Sequence, residues 1–435
     1  MPLKVAVLVT LERGEQAGGH VKCWERFAEA AATLPETLDL TLHFLGETDR
    51  TEALSSRVRF RHHPAAFGTR RLGFVRHGGA HTDLARHHAA VRRELAGMDV
   101  VHATDFFSFG YTAIKHARAS GCGMVASIHT DVPRFTRVYA ADVIRRVAGS
   151  WGSRLLIDTL QLPERIARHI ARSTDRCLSC CDHVLVSKRE DRERLSMFLP
   201  PERVHLLRRG IDHDRFAPRH RDRARLVREF GIPPERPVLL FVGRIDNTKS
   251  ALVMAEAARR LLDAGLDLQV LAIGEGDDRA AIERLLGDRA TLPGALPQTE
   301  LGRLYASADL FVFPSMTEVS PNVVLEAKAS GLPVVVAARH GGGQFVARSG
   351  QDGVVLDSQE PAAWAAAIAP LLRQPELRHA MGSAARQWAE TGWPSWRGVL
   401  LEDLLPVWRK AAATLVTHSR LPGRSRSPSA LQGAT

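Results

Sequence analysis

Short runs of β-branched and other apolar residues alternate with longer amphipathic runs along most of this chain, and that alternation constrains the fold more than any other feature. Strands alternating with helical stretches are how a parallel sheet covered by helices reads in sequence. The runs 4–10, 40–45, 99–103, 124–128 and 183–187 are expected as strands of one sheet, with a helix over 19–34. The runs 237–242, 268–273, 310–314 and 333–337 are expected as strands of a second. Helices are expected over 247–262, 278–286 and 321–330, the last ended by Gly331. Residues 51–95 are rich in His and Arg and only weakly periodic. Residues 134–176 form a long helical stretch in which Val138, Val143, Ile144 and Trp151 are interleaved with Arg145, Arg146, Arg154, Arg165, Arg168 and Arg172.

At 435 residues the chain exceeds one comfortable core and suggests two domains of roughly 200 residues each. The connector near 212–218 sets the expected division: 1–213, 214–390, a C-terminal segment 391–418, and a basic tail over 419–435, rich in Ser, Pro and Gly, that is expected to be disordered. No run reaches the ~18 apolar residues of a membrane-spanning helix. The first ten residues read as a buried strand rather than a secretory leader, because Glu12 and Arg13 stand where a small-residue cleavage site belongs. A cytoplasmic location is expected. Five cysteines, three of them Cys177, Cys180 and Cys181, lack the second ligand pair of a zinc site and are expected as reduced thiols.

The formal net charge is +11, and by count residues 1–213 carry 32 Lys/Arg against 24 Asp/Glu, so the excess lies mainly in the first half. Such a bias suits nucleic acid, an anionic membrane surface or an acidic substrate, and also follows from a preference for arginine codons. Aromatic residues make up only 6%, which argues against the interleaved basic and aromatic pattern of a nucleic-acid-binding surface.

Ligands of open parallel sheets bind at the carboxyl ends of strands, beside helix N-termini, and four loops fall there. Gly18-Gly19-His20 precedes the first long helix; its glycines admit a ligand close to the backbone, as they would also serve a plain tight turn. Gly243-Arg244 follows a strand, with Lys249 expected in the first turn of the next helix. A cation is disfavoured there by the dipole unless an anion lies between it and Arg244. No acidic metal-binding motif follows a strand, so these two cations are candidates to stabilise a leaving diphosphate in place of a metal; a solvated pair is the plainer alternative. The segment from Phe313 to Ala327 holds Glu318 in a loop and Glu326 in an apolar helix, with Ser320 expected as N-cap and Pro321 as first helical residue. A carboxylate among Val323, Val324, Leu325 and Ala327 is costly unless paired. The vicinal hydroxyls of a ribose or sugar are suitable partners, and the first amides of that helix could hold phosphate. A capping Glu and a solvated Glu are the bland alternative. The fourth loop, Ser127-Ile128-His129-Thr130, places a histidine at the same edge, where a structural and a functional role weigh evenly.

Glu318 and Glu326, seven residues between them, resemble the paired-glutamate motif of the family 4 glycosyltransferases. The resemblance covers nearly the whole chain: Gly18-Gly19, Arg209-Gly210-Ile211-Asp212 with Phe216, Val242-Gly243-Arg244 with Lys249, Ile273-Gly274-Glu275-Gly276, and Gly331-Leu332-Pro333-Val334-Val335, in the family's order. It implies the GT-B fold, two doubly wound Rossmann-like α/β domains facing across a cleft, with a C-terminal helix packing back toward the first. It implies a retaining, metal-independent transfer from a nucleotide sugar, UDP- or GDP-linked, with no cofactor. Glu326 would bind the ribose and Glu318 the transferred sugar; Arg244 and Lys249 would hold the diphosphate, and His129 would sit beside the sugar. Gly18, Gly19, Gly243, Gly274, Val319, Ser320 and Asn322 complete the donor contacts. The Ser127–His129 and Arg209-Gly210 segments look most like the branch that glycosylates membrane lipids, peripheral on the inner membrane face. The chain departs from the family in having Leu34-Pro35-Glu36-Thr37 before its second strand. Residues 51–95 and 134–176 would form the acceptor side.

Overall fold

The computed structural model describes residues 1–14, 17–69, 81–129, 132–338 and 341–418; the tail expected over 419–435 and the loop residues Thr130 and Asp131 lie outside them. Fourteen strands form two sheets among the described residues. The first holds β1 (Leu3–Glu12), β2 (Leu38–Leu45), β3 (Arg50–Ala53), β4 (Val58–His63), β5 (Val100–Ala103), β6 (Gly123–Ile128), β7 (His183–Val186) and β8 (Val204–Leu206), in the order β3-β4-β2-β1-β5-β6-β7-β8. The second holds β9 (Val238–Val242), β10 (Gln269–Ile273), β11 (Ala290–Gly294), β12 (Leu310–Phe313), β13 (Val334–Ala337) and β14 (Val354–Leu356), ordered β11-β10-β9-β12-β13-β14. All pairings are parallel except β3 with β4.

The central strands are apolar on both faces because helices cover both. Val5–Val9 of β1 and the whole of β9 are buried, and Val5 pairs with Leu40 on one side and Val100 on the other. In each sheet the strand order reverses at the centre, between β1 and β5 and between β9 and β12. A crevice opens at the carboxyl ends of strands at such a reversal. Gly243-Arg244 follows β9 and the Glu318 loop follows β12, so both motifs sit at one switch point.

Several local expectations need correction. Residues 51–95 contain most of β3, which is exposed throughout, then β4 and a short helix, Ala89–Glu94. The stretch 134–176 is not one helix: Gly149 and Gln161, both at positive φ, divide it, and helix Val132–Val147 lies against helix Leu162–Ser179. Residues 247–262 divide too. Asn247–Lys249 is a single 3₁₀ turn, Ser250 takes φ 53°, and the α-helix runs Ala251–Asp263. Lys249 therefore precedes the helix instead of occupying its first turn. Helix Asn322–Ala329 begins after Pro321 with no side-chain cap, so Ser320 does not cap it.

After the second sheet the chain returns to the first. Trp396, Val399, Leu400, Leu404, Val407 and Trp408 are buried in the core formed by β1, β2 and helix Gly19–Ala32. Helix Leu405–His418 presses on β6 so closely that a Cβ on Gly123 would lie 2.8 Å from the Ala411 carbonyl.

Candidate functional site

The loops after β9 and β10 are locked together. Gly243 N donates to Ile273 O at 3.0 Å and Ile245 N to Glu275 O at 2.9 Å. Gly243 at φ 153° and Gly274 at φ 143° adopt backbone that L side chains avoid, and a Cβ on Gly274 would collide with the Gly243 carbonyl. These glycines keep the floor of the crevice at backbone thickness.

Arg244 is held by Asp246 at 3.0 Å and by Thr248 Oγ1 at 2.7 Å, and Asp246 accepts from the Lys249 amide at 3.2 Å. Lys249 Nζ forms an ion pair with Glu318 Oε1, which also accepts from Ser315 Oγ at 2.8 Å. Thr317 Oγ1 ties the Glu318 loop to the Thr248 carbonyl at 2.7 Å. The sequence-predicted cations and Glu318 thus form one cluster. Lys188, at the carboxyl end of β7 in the other sheet, reaches across to donate to the Glu318 carbonyl at 2.6 Å.

Glu326 stands apart from that cluster, in the second turn of its helix, half-buried. It accepts from the buried Tyr305 hydroxyl at 3.1 Å. Burial pushes its carboxyl up to about 7, against the opposing effect of the Tyr305 hydrogen bond and of Arg26 and Arg215. Glu326 lines a cavity with Asn322 from the same helix and with Arg26, Gly210 and Trp396. Asn322 Oδ1 is buried without a partner among the described residues, while Val319 is buried and Ser320 half-buried at the loop's end.

Gly18 precedes helix Gly19–Ala32 in extended conformation, and a Cβ on either Gly18 or Gly19 would meet nothing within 4 Å. The space beside that helix start is open, and steric crowding does not explain these two glycines. The next residue, His20, stacks on His129 with ring centroids 4.5 Å apart and planes within 10°. His129 belongs to this second group, with Trp24 at 5.6 Å and the buried Arg209, and not to the Glu318 cluster. Burial first, then the charges of His20, Arg209 and His102, hold its imidazole well below the ordinary histidine value. His20 is lowered to about 3, again chiefly by burial.

The sequence reading missed Lys188, Tyr305 and Arg26. Lys188 follows a strand at the ligand edge and was open to the same rule that selected His129. Tyr305 and Arg26 lie inside ordinary helices, where nothing local marks them.

Among the described residues one group, His43, His63 and Glu94, brings three potential metal-ligating atoms together. His43 Nδ1 and His63 Nε2 already share a 2.9 Å hydrogen bond, and Arg61 engages both oxygens of Glu94.

The architecture is that of sucrose-phosphate synthase from Thermosynechococcus elongatus, with a TM-score of 0.69 at 19% identity, covering 95% of this chain and all of that one. Two doubly wound domains with their switch-point loops turned toward one cleft define a protein of the GT-B fold. Residues 18–215 match the family described as Glycosyltransferase Family 4 and residues 222–388 that described as Glycosyl transferases group 1. D-inositol 3-phosphate glycosyltransferase 1 of Catenulispora acidiphila is 30% identical over 342 residues, 74% of this chain and 75% of that protein. The GDP-mannose-dependent alpha-mannosyltransferase of Mycolicibacterium smegmatis is 32% identical over 290 residues, 66% of this chain and 68% of that protein. The chain belongs to glycosyltransferase family 4.

Proposed function

We propose that the protein transfers a hexose from a UDP- or GDP-sugar to an acceptor hydroxyl with retention of configuration and without a metal ion. The acceptor in this reading is a glycolipid or lipid-linked glycan at the inner membrane face. The observation that carries it is the cluster at one switch point in which Arg244 pairs with Asp246 and Lys249 with Glu318. Glu326 accepts from the ribose diol, and Glu318 from hydroxyls of the transferred sugar beside Val319 and Ser320. Arg244 and Lys249, now paired with Asp246 and Glu318, turn to the diphosphate as it enters. Gly243 and Gly274 let the phosphates approach the backbone, Asn322 lies at the head of the helix that points at them, and Gly18, Gly19 and His129 face the sugar from the first domain.

In the reaction the bond from the anomeric carbon to the phosphate oxygen breaks as the bond to the acceptor oxygen forms on the same face. The acceptor's proton passes to the departing phosphate oxygen. The Arg244 guanidinium and Lys249 ammonium offset the charge of the diphosphate, which rises by one as the anomeric bond breaks and falls again as the proton arrives. Supporting the lipid acceptor is an exposed stripe of Arg165, Arg168, Arg172 and Arg176 on helix Leu162–Ser179.

A donor that binds only the folded state raises its stability, so a thermal-shift panel of nucleotide sugars should single out one base and sugar. Turnover of that donor should then be lost in Glu326→Ala and Arg244→Ala; full activity in both would refute the site. A second reading, a soluble acceptor such as a phosphorylated polyol or a growing oligosaccharide, draws support from the inositol-phosphate relative. Labelled sugar that enters the aqueous phase and never the organic phase would favour it.

A further inference from the structure

Four buried side chains form one hydrogen-bonded file between the C-terminal helix and the cleft. Trp408 Nε1 lies 3.0 Å from His102 Nδ1, His102 Nε2 lies 2.8 Å from Ser127 Oγ, and Ser127 Oγ lies 2.7 Å from His129 Nε2. The direction of the file is set at its far end, because an indole N–H can only donate. His102 Nδ1 must then accept. Burial holds this imidazole neutral, at about 3, so its one proton sits on Nε2 and is donated to Ser127. Ser127 passes its own hydroxyl hydrogen on to His129 Nε2. The alternative, in which Ser127 accepts from both rings, leaves a buried hydroxyl hydrogen with nowhere to go.

His129, also neutral, is left with its proton on Nδ1. That atom is buried and has no partner among the described residues. Among the described residues its neighbours offer no acceptor: the His20 ring lies face to face with it, Trp24 meets it at 63°, and Arg209 brings positive charge. A fixed, buried donor at the carboxyl edge of β6 needs an oxygen from outside the protein.

We propose that Trp408, His102 and Ser127 are positioning residues that lock His129 as the Nδ1–H tautomer, making it a one-way hydrogen-bond donor to an oxygen of the transferred sugar. The sugar contact rests on the donor-site reading given above; the tautomer does not. It also gives the returning C-terminal helix a part in the active site, since Trp408 is carried by helix Leu405–His418.

Two measurements on the full chain test this. Bare and protonated ring nitrogens are well separated in ¹⁵N chemical shift. A histidine-labelled sample should therefore show His129 protonated at Nδ1 and bare at Nε2, and His102 the reverse, with the His129 signals identified by their loss in His129→Gln. Ser127→Ala should release the constraint and let the Nε2–H form appear. It should also lower kcat about tenfold, a change of ~1.4 kcal/mol in the barrier, while affinity for the nucleoside diphosphate stays the same. Ser127→Thr, which keeps the hydroxyl, should restore both tautomer and rate. Trp408→Phe should act in the same direction, and Ser127→Ala stands alone if that variant does not fold. A wild-type His129 protonated on Nε2 overturns the relay whether or not the chain turns over a sugar. A changed tautomer in Ser127→Ala with kcat unmoved overturns the sugar contact. Failure of every donor to react counts against the donor-site reading and leaves the relay standing.

Discussion

Glu326 carries its proton up to about pH 7 in the free protein, whereas an ordinary glutamate ionises near 4.5. Between those values the folded state binds more protons than the unfolded chain, so this group's contribution to stability falls as pH rises through that window. A ribose diol acts the other way. Its two hydroxyls donate to the carboxylate and favour the ionised form, so nucleotide binding should expel a proton and tighten as pH goes from about 6 to 8. Calorimetric titration in buffers of different ionisation enthalpy counts that proton. Glu326→Gln should bind more weakly at pH 8 and release none; an unchanged proton count in that variant would remove Glu326 from the ribose. Glu318 poses a different question, since Lys249 and Ser315 already occupy it. Glu318→Gln keeps the shape and removes the charge. Turnover should drop by about 100-fold, the scale of losing one preorganised transition-state contact, while nucleoside diphosphate affinity changes less than threefold, within ~0.7 kcal/mol. Lys249→Ala should do the reverse and weaken that affinity about tenfold, or ~1.4 kcal/mol, readable by the same titration.

The helix carrying Glu326 is short and apolar, and its orientation is secured from beneath. Lys328, fully buried two residues on, donates to Asp352 at 2.6 Å and to the Phe345 carbonyl at 2.5 Å, and its ammonium sits 3.6 Å from the Trp388 ring centre. Asp352 also accepts from the amides of Ala347 and Arg348 at 3.0 and 2.7 Å, so one carboxylate joins this helix to the loop before β14. Asp352→Ala strands a buried ammonium and should cost about 3–5 kcal/mol in urea unfolding. Lys328→Met with Asp352→Leu should recover much of that loss, and a double variant no better than the single would show that the amide contacts dominate. Nothing in the local sequence announces this strut, because a lysine at the end of a helix ordinarily reads as a solvated charge near the dipole. The same limit explains the elements missed in 51–95. In β4, Val58 and Phe60 alternate with Arg59 and Arg61, but His62 and His63 are both buried and interrupt the period. The central strands and their carboxyl-end loops were legible because burial on both faces leaves a continuous apolar run, even in strands of four or five residues. The edge strands β8, β11 and β14 were not, since they are only partly buried and none carries an apolar run of four residues.

At the scale of the molecule, the returning C-terminal segment makes the first domain depend on the last residues of the fold. The helical hairpin of Val132–Val147 and Leu162–Ser179 is where the proposed reading puts the acceptor. Helix Leu162–Ser179 turns Arg165, Arg168, His169, Arg172 and Arg176 outward at spacings of three and four, so they share one face. Among the described residues no helix is long and apolar enough to cross a membrane, and attachment made through an arginine face is electrostatic in kind. A basic residue near an anionic surface contributes about 1 kcal/mol, and the attraction is screened over ~10 Å at 0.1 M salt but ~3 Å at 1 M. The full chain should therefore float with vesicles rich in anionic lipid at low salt and be released near 1 M. Arg168→Glu with Arg172→Glu reverses two charges on the stripe and should cut vesicle binding by at least tenfold. Thermal stabilisation by the donor, measured without vesicles, should stay as in the wild type, because both arginines lie on a different domain from Glu326. Association that ignores salt, or survives the double reversal intact, would place the contact elsewhere. Absence of association at any salt would return the acceptor to solution and leave the basic stripe without a role at the membrane.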